Sequence, residues 1–328
     1  MKENNFEVIR PGINTTYQDF GRKNLYHIGV PFSGAMDNRN YLISNKLVNN
    51  KMNSAVIEFA YQGPMLKFNG ESTTFAITGD VNFNIKRKKN SILEKGNSYQ
   101  TYNLKSEDEI DILSTNRSVY GYLAIAGNID VKLFGNSCST NTKAKIGSND
   151  GEKIKKGDKI FFSNLSNKTQ IKKLNYINTK IEQIRVIRGT NYDYFSKESK
   201  NIFFKNEFNV TKLTDRMGMR LEGNKIKNIV DTNIKSEGLI KGTIQIPADG
   251  NPIIMLSDHG TIGGYPKIGV VISADYDKLV QIVPGSKIKF KEVSLSDAEK
   301  LYKFYNLETQ NILNQISWIL YKKSLDLF

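Results

Sequence analysis

The feature that most limits what this chain can fold into is a long succession of short β-branched or aromatic runs, each closed off by Gly, Asn, Pro or Ser. Residues 54–60 (SAVIEFA), 73–78 (TTFAIT), 119–126 (VYGYLAIA), 184–188 (IRVIR), 252–257 (PIIMLS) and 268–273 (IGVVIS) are of this kind. Such side chains suit a pleated, half-buried surface, and the residues between them suit turns. Few helical patterns separate the runs. A doubly wound parallel sheet needs a helix after nearly every strand, so barrels or sandwiches are expected instead. Hydrophobic content is lowish at 39%, but 17 Phe and 16 Tyr supply the large apolar surfaces a core requires. A length of 328 residues fits about two domains.

Two helices are predicted. The first is capped by Asp37 and runs to Asn49-Asn50, with Met36, Ile43 and Leu47 on one face. The second opens with a capping box, Ser296 to Glu299, breaks near Asn306 and resumes through Ile312, Ile316 and Leu320. This tail either packs on the body or faces a partner. The chain also carries a faint internal echo. VIRPGIN at 8–14 is answered by VIRGTN at 186–191, and KGDKIFF at 156–162 by PGSKIKF at 284–290. Two similar β-domains are therefore expected, over 1–170 and 181–295, followed by a helical tail over 296–328. The Asn/Lys-rich segment 163–180 reads as their linker.

Lys plus Arg (47) exceed Asp plus Glu (33) by 14. The charges are scattered, however, and the one tight basic run, Lys86 to Lys89, reads as a solvated hairpin loop, so neither nucleic acid nor membrane is expected as a partner. The single cysteine, Cys138, cannot form an intrachain disulfide and fits a reducing compartment. With two histidines besides, no metal site is expected. The N-terminal residues lack the apolar core of a signal peptide and no run is long enough to span a bilayer, so a cytoplasmic location is expected.

Phosphate-binding, dinucleotide-binding and nucleophile-elbow motifs are absent, as is the Ala-Met-Lys-Met context in which biotin is attached. Three polar constellations remain. In TTYQDFGRKNLYHIGVPFSGAMD at 15–37, Gln18, Asp19, Arg22, Ser33 and Asp37 cluster among glycines, including Gly34, that let backbone N–H groups approach a ligand. Arg22 offers a planar fork for an acid, and Asp19 or Asp37 a proton acceptor, though Asp37 could simply cap its helix. In TDRMGMRLEG at 214–223, Asp215 and Arg216 flank a glycine turn, as a site or as a surface salt bridge. In DHGTIGGYPKIG at 258–269, Gly263 and Gly264 can turn N–H groups toward an anion, with Asp258, Tyr265 and Lys267 beside them. His259 reads as an ordinary exposed loop residue. The first and third stretches are expected to wall one pocket.

Taken together, these stretches resemble the biotin-dependent carboxyltransferase-like family, also called allophanate hydrolase subunit 2. The matching residues are TTYQDFGR with GVPFSGAMD, VIEFAYQGPMLKF, ITGD, YLAIAG, SCST at 137–140, TDRMGMRLEG, IKSEGLIKGTIQIPADGNPIIMLSD and GGYPKIG, in order over residues 6–293. The family includes the C-subunit of bacterial ATP-dependent 5-oxoprolinase, the KipI-antagonist protein, and part of urea carboxylase. The resemblance implies a mainly β fold of two cyclophilin-like β-barrel domains. It implies an enzyme component that works with a KipI-like B-subunit and a LamB/YcsF-like A-subunit to convert 5-oxoproline to glutamate, with ATP used by the complex. A carboxyltransferase for urea or another small amide, with biotin on another chain, and a non-catalytic regulatory partner are the alternatives. On this reading Asp19, Asp37 and Asp215 are the candidate proton-transfer residues. Gln18, Arg22, Ser33, Gly34, Arg216, Asp258, Gly263, Gly264, Tyr265 and Lys267 are the candidate substrate contacts. The sequence departs from the family's usual Asp-x-Gln-Thr-Thr-Gly-Gly-Tyr-Pro at Gly260 and Ile262. It also has Cys138 where Arg is frequent and Asn49 where Gly is common.

Overall fold

The computed structural model describes residues 4–89, 92–163, 171–176, 181 and 183–325, with side chains up to residue 316. The chain divides into two compact units. Unit 1 comprises Met1–Arg22, Asp37–Asn178 and Glu308–Phe328; unit 2 comprises Lys23–Met36 and Thr179–Leu307. Most of the expected linker at 163–180 lies outside the described residues.

Unit 1 is built from two antiparallel sheets. In the seven-stranded sheet the order is Asn128–Ile129, Lys159–Ser163, Asn5–Arg10, Met65–Asn69, Glu109–Thr115, Val81–Lys86, Leu93–Lys95. In the five-stranded sheet it is Thr16–Gln18, Val56–Ala60, Tyr120–Ile125, Ser72–Thr78, Gln100–Lys105. Strand Val81–Lys86 shows the pleat at work: Val81, Phe83 and Ile85 are buried, while Asn82, Asn84 and Lys86 are not. Such inward faces from both sheets meet in one cluster, in which Phe75 of one sheet meets Phe83 of the other edge-on at 6.2 Å. Strand Tyr120–Ile125 is buried along its whole length because helix α1 (Asn38–Leu47) packs against it.

Unit 2 contains a closed barrel in the order Gln183–Arg188, Lys267–Val271, Thr243–Gln245, Ile253–Met255, Gly218–Glu222, Glu207–Thr214, Lys287–Glu292. It closes through a parallel pairing, Ile184 opposite Phe290. Closure removes the unpaired edges of an open sheet. Helix α2 (Lys197–Lys205) is capped by Ser196 and stacks Phe203 on Phe290 at 4.4 Å. Helix α3 (Ser273–Val280) follows strand Lys267–Val271. A two-stranded ribbon pairs Glu237–Gly238 with Ile262–Gly263.

The internal echo is present in three dimensions, but displaced. Gly157 and Gly285 both adopt positive φ (86° and 88°) and begin the turns into the two closing strands. In unit 1 the Gly157 turn clasps Val8: Gly157 N donates to Val8 O and Val8 N to Asp158 O. In unit 2 the Gly285 turn clasps Val210 in the same way, with Gly285 N to Val210 O and Val210 N to Ser286 O. Phe6 pairs with Ile160 as Phe208 pairs with Ile288. The counterpart of the opening strand is therefore Glu207–Thr214, not the Val-Ile-Arg segment at 186–188. That segment pairs parallel with the closing strand instead. The three identical residues of the Val-Ile-Arg segments are more conspicuous in the sequence than the structurally matched Phe-x-Val pair.

The C-terminal helix α4 spans Leu295–Leu325 without the break expected near Asn306. No Gly or Pro occurs in it, and one Asn weakens a helix by only a fraction of a kcal/mol, roughly 0.7 at most. Its cap is Ser294 rather than Ser296: Asp297 N donates to Ser294 Oγ, which donates to the Asp297 carboxylate at 2.7 Å. Among the described residues no helix is long and apolar enough to cross a membrane.

Candidate functional site

In unit 1, the polar residues of the first constellation have protein partners. Asp19 is buried and accepts four hydrogen bonds, from Gly21 N (2.8 Å), Ser137 Oγ (2.6 Å), Ser139 Oγ (2.6 Å) and Cys138 N (2.7 Å). Arg22, 1% exposed, donates through Nη2 to the Ser139 carbonyl and stands 5.7 Å from the Phe134 ring centroid. Gln18 donates to Thr16 Oγ1 (2.9 Å) and to Thr140 O (3.0 Å). All three thus hold the SCST segment, 137–140, against the sheet. Gly147, with φ +96°, passes so close that a Cβ would strike Ser139 O and Arg22 Nη2. Cys138 is buried in the middle of this clamp. Desolvation and the neighbouring Asp19 carboxylate raise its thiol pKa far above the ordinary value, so it is a packed side chain and not a nucleophile.

Asp37 caps α1 as expected, accepting from Asn40 N (2.9 Å) and Asn40 Nδ2 (2.6 Å). Its own backbone N–H donates to Tyr122 Oη at 2.7 Å. Tyr122 also hydrogen-bonds Glu58, a carboxylate only 1% exposed in the middle of strand Val56–Ala60. Burial, then Glu58 and Asp37, raise the Tyr122 pKa well above the ordinary value. Tyr99 Oη donates to Asn40 Oδ1 at 2.7 Å and closes the network. Glu58 had a signal in the sequence, a lone acid inside an apolar strand. Asn49 takes φ +61° just past the end of α1, a position that Asn tolerates better than most residues.

In unit 2, the second half of the first stretch meets the downstream one. Ser33 and Gly34 both take left-handed backbone (φ 57° and 89°), Ser33 N donates to Ser257 O at 3.1 Å, and Gly34 O accepts from Arg216 Nη2 at 2.7 Å. Tyr26 stacks on Phe32 at 4.7 Å, donates to Leu239 O and lies edge-on to His259 at 6.1 Å between centroids. Burial pushes its pKa up to about 12. Arg216 grips Asp258 with both arms of its fork, Nε to Oδ2 at 2.7 Å and Nη2 to Oδ1 at 3.0 Å. Asp215 is an exposed turn residue accepting from Met217 N and Gly218 N. Lys267 pairs with Glu237 at 2.8 Å, across the ribbon that contains Gly263. A Cβ on Gly263 would meet Gln245 Nε2 at 2.6 Å. Gly264 O accepts from Ile234 N, and Tyr265 O accepts from Gln245 Nε2.

Three residues not counted among the candidates stand beside Arg216 and Asp258. His259 is 2% exposed, contrary to the exposed loop position expected from sequence. The tight turn holds it inside: His259 N donates to Leu256 O, and Nδ1 lies 2.6 Å from Gly260 O. Desolvation, assisted by Lys241, lowers its pKa despite Gly260 O and Asp258. Lys241 holds its ammonium 4.2 Å from the centroid of the Tyr276 ring. Tyr276 is fully enclosed and shares a hydrogen bond with Ser257 at 3.2 Å. Desolvation and Arg216 lower the Lys241 pKa against the opposing pull of Asp277. Lysine in GLIKGTIQIP carries no spacing signal, which is why the sequence conceals it.

The family described as carboxyltransferase domain, subdomain A and B, has a sequence model that matches residues 28–292. The C-subunit of 5-oxoprolinase from Escherichia coli (strain K12) is 30% identical over 322 residues, which is 97% of this chain and 99% of that protein. The urea amidolyase of Saccharomyces cerevisiae is 30% identical over 323 residues, 90% of this chain but 17% of that enzyme. The crystal structure of the K. lactis urea amidolyase superposes with a TM-score of 0.85 at 28% identity, covering 95% of this chain and 20% of that one.

Proposed function

We propose a function from one established premise: the chain belongs to the family of the carboxyltransferase domain, subdomain A and B. It acts as the C-subunit of an ATP-dependent 5-oxoprolinase, with a KipI-like B-subunit and a LamB/YcsF-like A-subunit, in the ring opening of 5-oxoproline to glutamate. The observation that carries this reading is the match to the E. coli 5-oxoprolinase C-subunit, 30% identical over 322 residues that make up 99% of that protein.

Unstrained amides hydrolyse slowly, and ATP can activate the carbonyl oxygen as a phosphate leaving group. What remains for the protein is to hold an anionic substrate, move protons and stabilise charge on oxygen. Unit 2 supports those tasks with Lys241, the Arg216–Asp258 pair and a desolvated His259. Arg22, Asp19 and Gln18 have a positioning role, since their polar atoms hold the 137–140 segment.

The test is substrate choice by the reconstituted complex. The purified KipI-like and LamB/YcsF-like partners with this chain should release glutamate and ADP from 5-oxoproline and ATP. Carboxylation of urea in the presence of a biotin carboxylase and its biotin carrier, with 5-oxoproline inert, would overturn the proposal in favour of the carboxyltransferase alternative.

A further inference from the structure

Within unit 2 the cluster around Lys241 has unused bonding capacity of a defined kind. Among the described residues, Lys241 has no ion-pair partner: the Asp258 carboxylate is gripped by both arms of Arg216, and Asp277 accepts from Tyr305 Oη. The Lys241 ammonium is instead held against an aromatic face, 4.2 Å from the Tyr276 centroid. The residue as a whole keeps an exposed surface, which leaves a ligand a way in. A cation in that setting gains from an arriving anion, because the desolvation that burdens the ammonium strengthens its attraction to a counter-charge. His259 supplies a complementary group. A carbonyl oxygen faces Nδ1 at 2.6 Å, so in the neutral ring Nδ1 carries the proton and Nε2 carries the lone pair. Nε2 has no hydrogen-bond partner among the described residues, and desolvation by burial lowers the pKa of the ring.

We infer that Lys241 and His259 form a binding site for a small carboxylate that also carries an amide N–H, the ammonium taking the carboxylate and His259 Nε2 accepting from the N–H. This rests on the 5-oxoprolinase reading for the identity of the ligand, since 5-oxoproline is such a molecule, but the site itself follows from the two side chains. It also accounts for a histidine whose tautomer is set by the glycine carbonyl next to it.

The chain contains two histidines, His27 and His259, so 15N NMR of the imidazoles in the intact chain reports the site directly. 5-Oxoproline should shift the His259 Nε2 resonance in a saturable way and leave His27 unmoved. 2-Pyrrolidone, which keeps the N–H and lacks the carboxylate, should bind about tenfold or more weakly, as loss of a charge-assisted contact requires. Lys241→Met should weaken 5-oxoproline by a similar factor while leaving 2-pyrrolidone nearly unchanged, and a cooperative thermal unfolding transition like that of the parent chain checks that the variant is folded. Equal affinity of Lys241→Met for 5-oxoproline, or an unmoved His259 resonance with every probe, would overturn the inference. N-acetylglycine serves as the separating probe. Lys241-dependent binding of N-acetylglycine without binding of 5-oxoproline would uphold the site and count against the 5-oxoprolinase reading. Binding of 5-oxoproline here with no turnover in the reconstituted complex would also uphold the site alone.

Discussion

Asp19 shows how a carboxylate surrounded by donors becomes an anchor. Its four hydrogen bonds, two from serine hydroxyls and two from backbone N–H groups, leave little capacity for a substrate proton. Asp19→Asn replaces one acceptor oxygen with a donor facing donors, so it should lower stability by about 2–3 kcal/mol in urea unfolding. Arg22→Lys keeps the charge but loses the reach of the fork to Ser139 O, and should lose stability and activity in step. Arg87 is paired as well, although the basic run around it reads as a solvated loop. Arg87 bonds Glu94 through Nε and Nη2 and Asp108 through Nη1 at 3.0 Å, so Arg87→Lys should cost about 1 kcal/mol. The sequence reveals charge but not the carboxylates that strand pairing brings beside it. His259 gives a pH signature. Its folded-state pKa lies below the ordinary 6.5, so on acidification the unfolded chain takes up a proton first. Stability should therefore fall as pH drops below about 6.5 and level off beneath the folded-state value. The charged groups acting on it are Lys241 and Asp258, with the Gly260 carbonyl as its direct partner. His259→Gln should flatten that part of the stability profile. An unchanged slope in the variant would show that another group is responsible.

At the scale of elements, the strands were legible because their side chains announce them. The run 73–78 became Ser72–Thr78, 119–126 became Tyr120–Ile125 and 184–188 became Gln183–Arg188. Pairing was not legible. It depends on which glycine turn clasps which strand, and the matched Phe6 and Phe208 are separated by residues that share no longer motif. Helix caps were legible to within two residues: Asp37 was read correctly, while the equally plausible Ser296 hid the true cap Ser294. Asp37→Ala and Ser294→Ala should therefore differ. Ser294→Ala removes one exposed cap at a cost of about 1 kcal/mol. Asp37→Ala also strips partners from buried Asn40 and should cost more, about 2–4 kcal/mol, by thermal unfolding. Equal losses would mean that the network around Tyr122 and Glu58 adds nothing to the cap.

For the whole molecule, the family was legible in long motifs, whereas the contents of the site were legible only in part. Gly34, Arg216 and Asp258 were read from turn chemistry and charge, and they do meet in unit 2. Lys241 and Tyr276 were not, because a lysine or a tyrosine acquires meaning only when folding places one on the face of the other. If the chain acts as a C-subunit, turnover needs every component, and an omission series checks this. 5-Oxoproline-dependent ATP hydrolysis is measured with this chain alone, with each pairing of the three components, and with this chain and both partners together. Turnover is expected only in the complete mixture. Robust hydrolysis by this chain alone, or full activity when it is left out, would contradict it.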